Sequence, residues 1–170
     1  MPDWKLNCRR LFTRLLSTLV PMLVLLAPAS AERLYDYPLK SLTARESKSL
    51  ADYQGHTRIA VVFQPDCSWC EKQIADLARL EHKCGDAFST VLIGTRGNRR
   101  TLKRELRKFA APLPALKADK GFMHLLIGFE ATPVTLFFDG QGKLLANRRG
   151  YIPPEKLKRA ISLQTGGLCS

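Results

Sequence analysis

The sequence contains few histidines and few acidic residues, and it has no long hydrophobic run. The three histidines, His56, His82 and His124, form no cluster, and each is better interpreted as a surface or packed side chain than as a metal ligand. Asp and Glu number 15 against 27 Lys and Arg, a formal net charge of +12. No nucleic-acid-binding motif accompanies this charge. The sequence therefore predicts no metal, no non-protein cofactor and no nucleic-acid partner.

The longest apolar run, residues 15–27, is shorter than the roughly 20 residues that span a membrane comfortably. Basic residues precede this run, and Ala29-Ser30-Ala31 follows it. Basic, apolar and A-x-A segments in that order are typical of a cleaved signal peptide. We therefore predict a signal peptide over residues 1–31 and one domain over residues 32–170, exported to the periplasm. The alternative is an uncleaved anchor that holds the domain at the membrane, facing the periplasm.

Much of the positive charge lies in residues 98–109. Leu102, Leu106 and Phe109 recur there at helical spacing, so the segment is predicted to be an amphipathic helix with a basic outer face. A solvated face is the simplest interpretation of that charge. A docking surface for an acidic partner or an anionic lipid is the alternative.

Cysteine is the most informative residue type in the predicted domain, which contains Cys67, Cys70, Cys84 and Cys169. The first two form a Cys-Ser-Trp-Cys motif between an apolar, strand-like run over residues 59–63 and a segment with helical periodicity. A helix N-terminus favours a thiolate, so Cys67 is the candidate nucleophile of a dithiol–disulfide site and Cys70 the candidate resolving thiol. A static disulfide is a weaker interpretation, because so short a loop adds little stability. Half of a zinc site is weaker too, because Cys84 and Cys169 are too scattered to complete one.

The hydrophobic pattern predicts elements in the order β-α-β-α-(α)-β-β-α. The predicted strands are residues 57–63, 87–94, 134–138 and 143–149, and the predicted helices are residues 67–83, 98–109, 122–129 and 155–163. A further helix over residues 42–53 and a short extended piece over residues 113–118 are also expected. A βαβ unit comes first, and a β-hairpin with a closing helix comes last. The order predicts an α/β fold with a central mixed sheet flanked by helices.

Two motifs carry a family resemblance. They are Val-Val-Phe-Gln-Pro-Asp-Cys-Ser-Trp-Cys over residues 61–70 and Gly-Phe-Glu-Ala-Thr-Pro-Val-Thr-Leu-Phe-Phe-Asp-Gly-Gln-Gly over residues 128–142, with Gly150 after them. Together they resemble thioredoxin-fold proteins, most of all the exported TlpA/ResA-type thiol-disulfide oxidoreductases. The resemblance covers nearly all of residues 42–163, and it implies the thioredoxin fold and a redox-active cysteine pair.

The resemblance also implies roles for individual residues. The family places a cis-proline before its third strand, next to the dithiol, and Thr132-Pro133 occupies that position. The Thr132 backbone would then pair with an extended substrate chain, and Trp69, expected to face solvent, could contact the same substrate. The implied partners are protein or peptide thiols and disulfides, together with a membrane electron donor or acceptor.

Two acids that assist proton transfer in related proteins are absent. Thioredoxin has a buried acid on the strand before its dithiol, where this sequence has Val61. The TlpA/ResA pattern has a Glu three residues after its second cysteine, where this sequence has Gln73. Glu71 could replace these acids only if its side chain pointed inward. Asp66 and Glu71 also place negative charge beside Cys67, which opposes a thiolate.

The resemblance implies a second cysteine pair. In the thioredoxin fold, the dithiol helix and the last helix lie roughly parallel on the same face of the sheet. Cys84 closes the first of these helices and Cys169 follows the second, so both would lie at the end far from Cys67. We predict a structural disulfide between Cys84 and Cys169, which would stabilise the fold by a few kcal/mol. Two thiols that relay electrons are the alternative.

The leading hypothesis is a monomeric periplasmic thiol-disulfide oxidoreductase, and the resemblance favours a reductase of protein disulfides. A disulfide-donating oxidase is the first alternative, because direction depends on the reduction potential. A binding module that uses the two thiolates to hold Cu(I) or a partner is the second, although no convincing histidine or methionine completes such a site. An accessory domain that uses only the fold is the third.

Overall fold

A seven-stranded mixed sheet organises the protein, and helices cover both of its faces. The computed structural model describes residues 34–53, 57–109, 112–126 and 131–169. The predicted signal peptide, residues 1–31, lies outside the described residues. Among the helices that are described, none is long and apolar enough to cross a membrane.

The central strands follow from the two apolar segments of the βαβ unit. The strands are β1 (Leu39–Ser41), β2 (Ser47–Lys48), β3 (Thr57–Phe63), β4 (Phe88–Gly94), β5 (Ala115–Lys117), β6 (Val134–Phe138) and β7 (Leu144–Arg149). They lie in the order β2-β1-β5-β4-β3-β6-β7. β3 pairs in parallel with β4 and antiparallel with β6, and every residue of β3 is buried. Burial on both faces explains why β3 is largely apolar without alternation.

Within the described residues, four α-helices connect or close the strands. They are α1 (Ser68–Cys84), α2 (Arg99–Leu106), α3 (Lys120–Leu125) and α4 (Pro154–Gln164), and short 3-10 helices occur at Leu50–Asp52 and Gly85–Ala87. The Asn98 and Asp119 side chains accept hydrogen bonds from backbone N–H groups in the first turns of α2 and α3. Pro154 occupies the first position of α4, where its missing N–H leaves no donor unsatisfied.

Two apolar layers hold the helices against the sheet. On one face, Ile59, Val61 and Phe63 of β3 pack in the same cluster as buried residues of α1, α2 and α4. On the other face, Ala60 and Val62 pack with α3, β1 and residues 34–35. Because α1 starts just after β3 ends, its first turn lies at the C-terminal end of this central strand, where other molecules can reach it.

The predicted helix over residues 42–53 is wrong, because that segment contains β2 and a 3-10 turn instead. Its polar side chains bond to nearby backbone groups. Ser41 Oγ accepts a hydrogen bond from the Ala44 N–H at 2.8 Å, and an Asp52 carboxylate oxygen accepts one from the Ser49 N–H. Such local bonds compete with the hydrogen bonds of a helix.

Elsewhere the predicted elements lie within a few residues of the observed ones. The extended piece predicted over residues 113–118 is β5, and the predicted mixed sheet is confirmed. The helix predicted over residues 122–129 is observed as α3, and residues 127–130 lie outside the described residues.

Candidate active site

The Cys67–Cys70 pair lies at the start of α1, and its two sulfur atoms form a disulfide. Cys67 is the N-cap residue of the helix, and its Sγ accepts a hydrogen bond from the Cys70 N–H at 3.2 Å. The sulfur therefore occupies the place that a hydroxyl or carboxylate oxygen has in an ordinary N-cap. In the reduced protein, the same N–H group and the helix dipole would stabilise a Cys67 thiolate.

The two cysteines differ in access. Cys70 is completely buried in the same apolar cluster as Val61 and Ile74, whereas Cys67 is partly exposed at the edge of the sheet. Another molecule can therefore reach Cys67, whereas the core shields Cys70.

The loop that contains Thr132 and Pro133 lies against Cys67. The Thr132 hydroxyl oxygen is 3.6 Å from Cys67 Sγ, and the Thr132 carbonyl oxygen is 3.9 Å from the same sulfur. The peptide bond between Thr132 and Pro133 is cis. β6 begins directly after this loop and pairs with β3, so the sheet itself fixes the loop beside the start of α1. The hydroxyl can donate a hydrogen bond to a thiolate at Cys67.

Trp69 is 56 % exposed, and contacts with the loop between β7 and α4 hold its ring. The ring centroids of Trp69 and Tyr151 are 5.4 Å apart, and Lys72 Nζ lies 4.6 Å from the Tyr151 centroid. The Tyr151 hydroxyl donates a hydrogen bond of 2.7 Å to the buried carboxylate of Asp76, and this bond raises the pKa of Tyr151. Asp76 also pairs with Arg79. The result is an ordered aromatic surface beside Cys67.

Gln73 ties the same loop to α1. The Gln73 side chain is completely buried, and its Oε1 accepts a hydrogen bond from the Ile152 N–H at 2.7 Å. Its Nε2 has no hydrogen-bond partner among the described residues. The Gly150 N–H donates to the Pro133 carbonyl oxygen at 2.8 Å, so the loop also contacts the segment beside Cys67. At the position where related proteins have a proton-transferring acid, this protein has a residue that positions a loop.

Glu71 and Asp66, the acidic residues beside the dithiol, do not replace the proton-transferring acid of related proteins. Glu71 is exposed, so it does not meet the condition that its side chain point inward. Asp66 is paired, because Lys108 Nζ lies 3.1 Å from its carboxylate and 2.9 Å from that of Glu105. The hydrogen bond with Glu105 and, next, that with Asp66 raise the pKa of Lys108. Lys108 therefore offsets part of the negative charge beside Cys67.

A second disulfide joins Cys84 and Cys169 at the other end of α1. Cys84 is the last residue of α1, and Cys169 lies five residues after α4 ends at Gln164. Cys169 is buried in the apolar core, and Cys84 is half-buried. The 17 residues of α1 place this pair about 25 Å from the first one. The structure thus brings together both predicted cysteine pairs and keeps them apart from each other.

Two residues at this site, Tyr151 and Lys108, are not identified by the sequence analysis. Tyr151 directly follows Gly150, which is part of the family resemblance. Its position next to Gly150 is the one sequence feature that could have identified Tyr151. Lys108 belongs to the predicted basic helix, but its ion pair with Asp66 depends on how the chain after α2 folds back. No local pattern in the sequence shows that contact.

Metal ligands are not grouped in the part of the chain that the structure describes. Within that part, no three His, Cys, Asp or Glu side chains are placed to hold a metal ion. His82 and His124 are exposed on separate helices, and His56 lies outside the described residues.

The comparisons with known proteins give a family and a set of similar folds. A family described as the thioredoxin-like domain matches residues 45–164. The curated proteins yield no match. Among solved structures, the chain is similar to a secreted disulfide oxidoreductase of Mycobacterium tuberculosis that is homologous to Escherichia coli DsbE. That similarity has a TM-score of 0.64 and 16 % identity, over 81 % of this chain and 99 % of that one.

Two further structures show the same fold. The exposed lipoprotein thioredoxin Etrx1 of Streptococcus pneumoniae has a TM-score of 0.63 and 19 % identity, over 75 % of this chain and 98 % of that one. StoA of Bacillus subtilis has a TM-score of 0.58 and 16 % identity, over 72 % of this chain and 93 % of that one. The predicted thioredoxin fold is confirmed. Because the family match covers most of the chain and includes both the Cys67–Cys70 and the Thr132–Pro133 segments, the protein belongs to the thioredoxin-like domain family.

Proposed function

We propose that the protein is a periplasmic thiol-disulfide oxidoreductase that reduces disulfides in other proteins. The observation that carries the proposal is the difference between the two sulfurs at the start of α1. Cys67 is accessible and caps the helix, whereas Cys70 is buried directly behind it. Membership of the thioredoxin-like family and similarity to a named disulfide oxidoreductase support this activity.

The reaction is a two-step thiol-disulfide exchange. The Cys67 thiolate attacks one sulfur of the substrate disulfide, so a bond forms between Cys67 and that sulfur while the substrate S–S bond breaks. The deprotonated Cys70 then attacks Cys67 Sγ, which releases the second substrate sulfur and forms the Cys67–Cys70 disulfide. The substrate gains two electrons and two protons, one proton from the Cys70 thiol and one from solvent. A dithiol donor at the membrane returns the pair to its reduced state.

The neighbouring residues act on charge and position. The Thr132 hydroxyl, 3.6 Å from Cys67 Sγ, donates to the thiolate, and the Thr132 backbone pairs with the extended substrate chain. Trp69 contacts that chain from the other side. Val61 and Gln73 occupy the positions where related proteins have acids that assist proton transfer, so neither can accept the proton of Cys70. We assign that role to the substrate: the first substrate thiolate to leave accepts the proton from the Cys70 thiol.

Export completes the proposal. The signal peptide over residues 1–31 delivers the domain over residues 32–170 to an oxidising compartment, where Cys84–Cys169 persists as a structural disulfide. The secreted mycobacterial protein and the exposed pneumococcal lipoprotein support this location. All groups named in the reaction come from one chain, so a monomer is sufficient.

The test is the equilibrium reduction potential of the Cys67–Cys70 couple, titrated in the purified protein against dithiothreitol and glutathione. A value near about −270 mV supports a reductase, and a value near about −120 mV instead indicates a disulfide donor. A pair that does not cycle reversibly would contradict the enzymatic proposal itself.

A further inference from the structure

We propose that a groove between β7 and α4, beside the dithiol, binds an acidic segment of the substrate protein next to the disulfide that is reduced. The inference rests on the proposed function, because the segment belongs to the same chain whose disulfide Cys67 attacks. It adds a substrate class, namely proteins whose reducible cysteine is flanked by Asp or Glu together with an apolar residue.

The groove has an apolar floor and a basic rim. Ile152 and Ala160 contribute to the floor, and Leu163, a large aliphatic residue that is 74 % exposed, also lines the groove. The rim is formed by the cations Arg148, Arg149, Lys156 and Arg159. The floor offers contact to an apolar side chain, and the rim offers contact to carboxylates on either side of it.

The groove continues the surface of the dithiol. Tyr151 lines it, and the Tyr151 ring lies 5.4 Å from the ring of Trp69, inside the Cys67–Cys70 motif. The preceding residue, Gly150, donates its N–H to the carbonyl oxygen of Pro133. A substrate chain that lies on Trp69 and on the segment before β6 therefore reaches the groove without leaving the protein surface.

Three of the four rim cations, Arg148, Lys156 and Arg159, form no ion pair with a carboxylate in the described part of the chain. The Arg148 guanidinium donates a hydrogen bond to the carbonyl oxygen of Asn147, at 2.8 Å. Acidic side chains of a bound segment would be complementary to these cations and would also increase the rate of encounter.

The exposed face of α2 is also basic, but it lacks the apolar floor and the contact with Trp69 that the groove has. Cations alone line its concave surface, namely Arg99, Arg100, Lys103, Arg104 and Arg107. Arg99 already donates hydrogen bonds to the carbonyl oxygens of Ser41 and Ala44. This face has no aliphatic floor and no ring contact with Trp69, so it provides a control with matched charge.

The test compares two synthetic peptides that contain the same internal disulfide, one flanked by Glu and Leu and the other by Lys and Leu. The second-order rate of their reduction by the reduced protein is measured at low ionic strength. We expect the Glu peptide to react about tenfold faster, and we expect most of that ratio to disappear in about 0.5 M salt. The variant Arg148→Gln/Lys156→Gln/Arg159→Gln should lower the ratio to about one or two. The control Arg100→Gln/Lys103→Gln/Arg104→Gln should keep most of it.

Each contrary result has its own meaning. Equal rates for the two peptides with the unmodified protein overturn the inference and leave the oxidoreductase intact. An equal loss of the ratio in both triple variants assigns the effect to net charge and also overturns it. The protein could instead bind phosphatidylglycerol vesicles through the groove cations and show no preference between the peptides. That result would identify the groove as a lipid-binding surface and overturn the inference. Failure to reduce either peptide or hydroxyethyl disulfide contradicts the proposed function, and the inference falls with it.

Discussion

The two ends of α1 carry the same chemical group in different surroundings. At the N-terminus, Cys67 and Cys70 are three residues apart and lie at an accessible edge of the sheet. At the C-terminus, Cys84 pairs with Cys169, which is 85 residues away in sequence and buried. The comparison shows that the two ends of one helix give the two cysteine pairs different access, different electrostatics and different loop lengths.

Electrostatics and loop length account for the difference. The N–H groups and partial positive charge at the helix N-terminus stabilise a thiolate at Cys67, whereas the carbonyl groups at the C-terminus disfavour one at Cys84. Loop length favours the other pair, because a disulfide stabilises the fold more when it closes a longer loop. By the chain-entropy argument, the long loop closed by Cys84–Cys169 contributes about 4–5 kcal/mol, while the short loop of Cys67–Cys70 contributes only about 2 kcal/mol.

The largest expected effect is on activity. Cys67→Ser should lower the rate of insulin disulfide reduction by more than about 100-fold, because the attacking thiolate is lost. The double variant Cys84→Ser/Cys169→Ser should keep the rate within about twofold when both proteins are folded, because those sulfurs lie far from the substrate. If the second variant loses activity as fully as the first, the two pairs do not have separate roles.

The next largest effect is on stability. Cys84→Ser/Cys169→Ser should lower the free energy of unfolding by about 2–5 kcal/mol, since the unfolded chain is no longer constrained. The matched control Cys67→Ala/Cys70→Ala should lose about 2 kcal/mol, from the short loop and the buried side chain of Cys70. Denaturant unfolding under non-reducing conditions measures both, and a larger loss in the control would reverse the comparison.

A smaller effect is expected at the active end of the helix. Thr132→Val removes the hydroxyl that faces Cys67 Sγ, so the pKa of the Cys67 thiol in the reduced protein should rise by about one unit. Thr132→Ser keeps the hydroxyl and serves as the control. The ultraviolet absorbance of the thiolate, followed against pH in the Cys70→Ser background, measures the change. An unchanged pKa in the valine variant would show that the hydroxyl does not contact the thiolate.

The smallest effect concerns Glu81, one turn before Cys84. Burial raises the pKa of this half-buried carboxyl group, and the hydrogen bond that it accepts from the Thr90 N–H offsets part of the rise. A raised pKa in the folded state means that the stabilisation from this group is present at low pH and is lost as the pH rises through that pKa. Glu81→Gln should therefore increase the free energy of unfolding by a few tenths of a kcal/mol near pH 7, with no gain near about pH 3.5. Urea unfolding at the two pH values checks this, and a loss of stability near pH 7 would contradict it.

Local patterns in the sequence were sufficient for the elements that carry the dithiol. β3 is a continuous apolar segment, and the Cys67–Cys70 spacing at a strand-to-helix junction already indicates redox chemistry. The positions of Thr132-Pro133 beside the dithiol and of Cys84 beside Cys169 could be predicted only through the family resemblance. No local sequence pattern relates Thr132-Pro133 to Cys67 or Cys84 to Cys169. The fold that the resemblance implies places the ends of its helices in fixed relation, and in the structure Cys84 bonds to Cys169 and Thr132 lies beside Cys67.

Contacts between distant segments could not be predicted in the same way. The packing of Tyr151 on Trp69, the hydrogen bond from Ile152 to Gln73 and the pairing of Lys108 with Asp66 each join parts of the chain that no periodicity relates. The error over residues 42–53 has a related cause. Spaced apolar residues there suggested a helix, but pairing of β2 with β1 and local side-chain bonds determine the structure.

The most direct test of the separate roles is a redox titration that resolves all four cysteines of the two pairs. The purified protein is equilibrated over a series of dithiothreitol ratios, its free thiols are alkylated, and each labelled cysteine is identified by peptide mass mapping. The account predicts that Cys67 and Cys70 become labelled together in one reversible transition while Cys84 and Cys169 stay unlabelled. Labelling of Cys84 and Cys169 at or before that transition would contradict it.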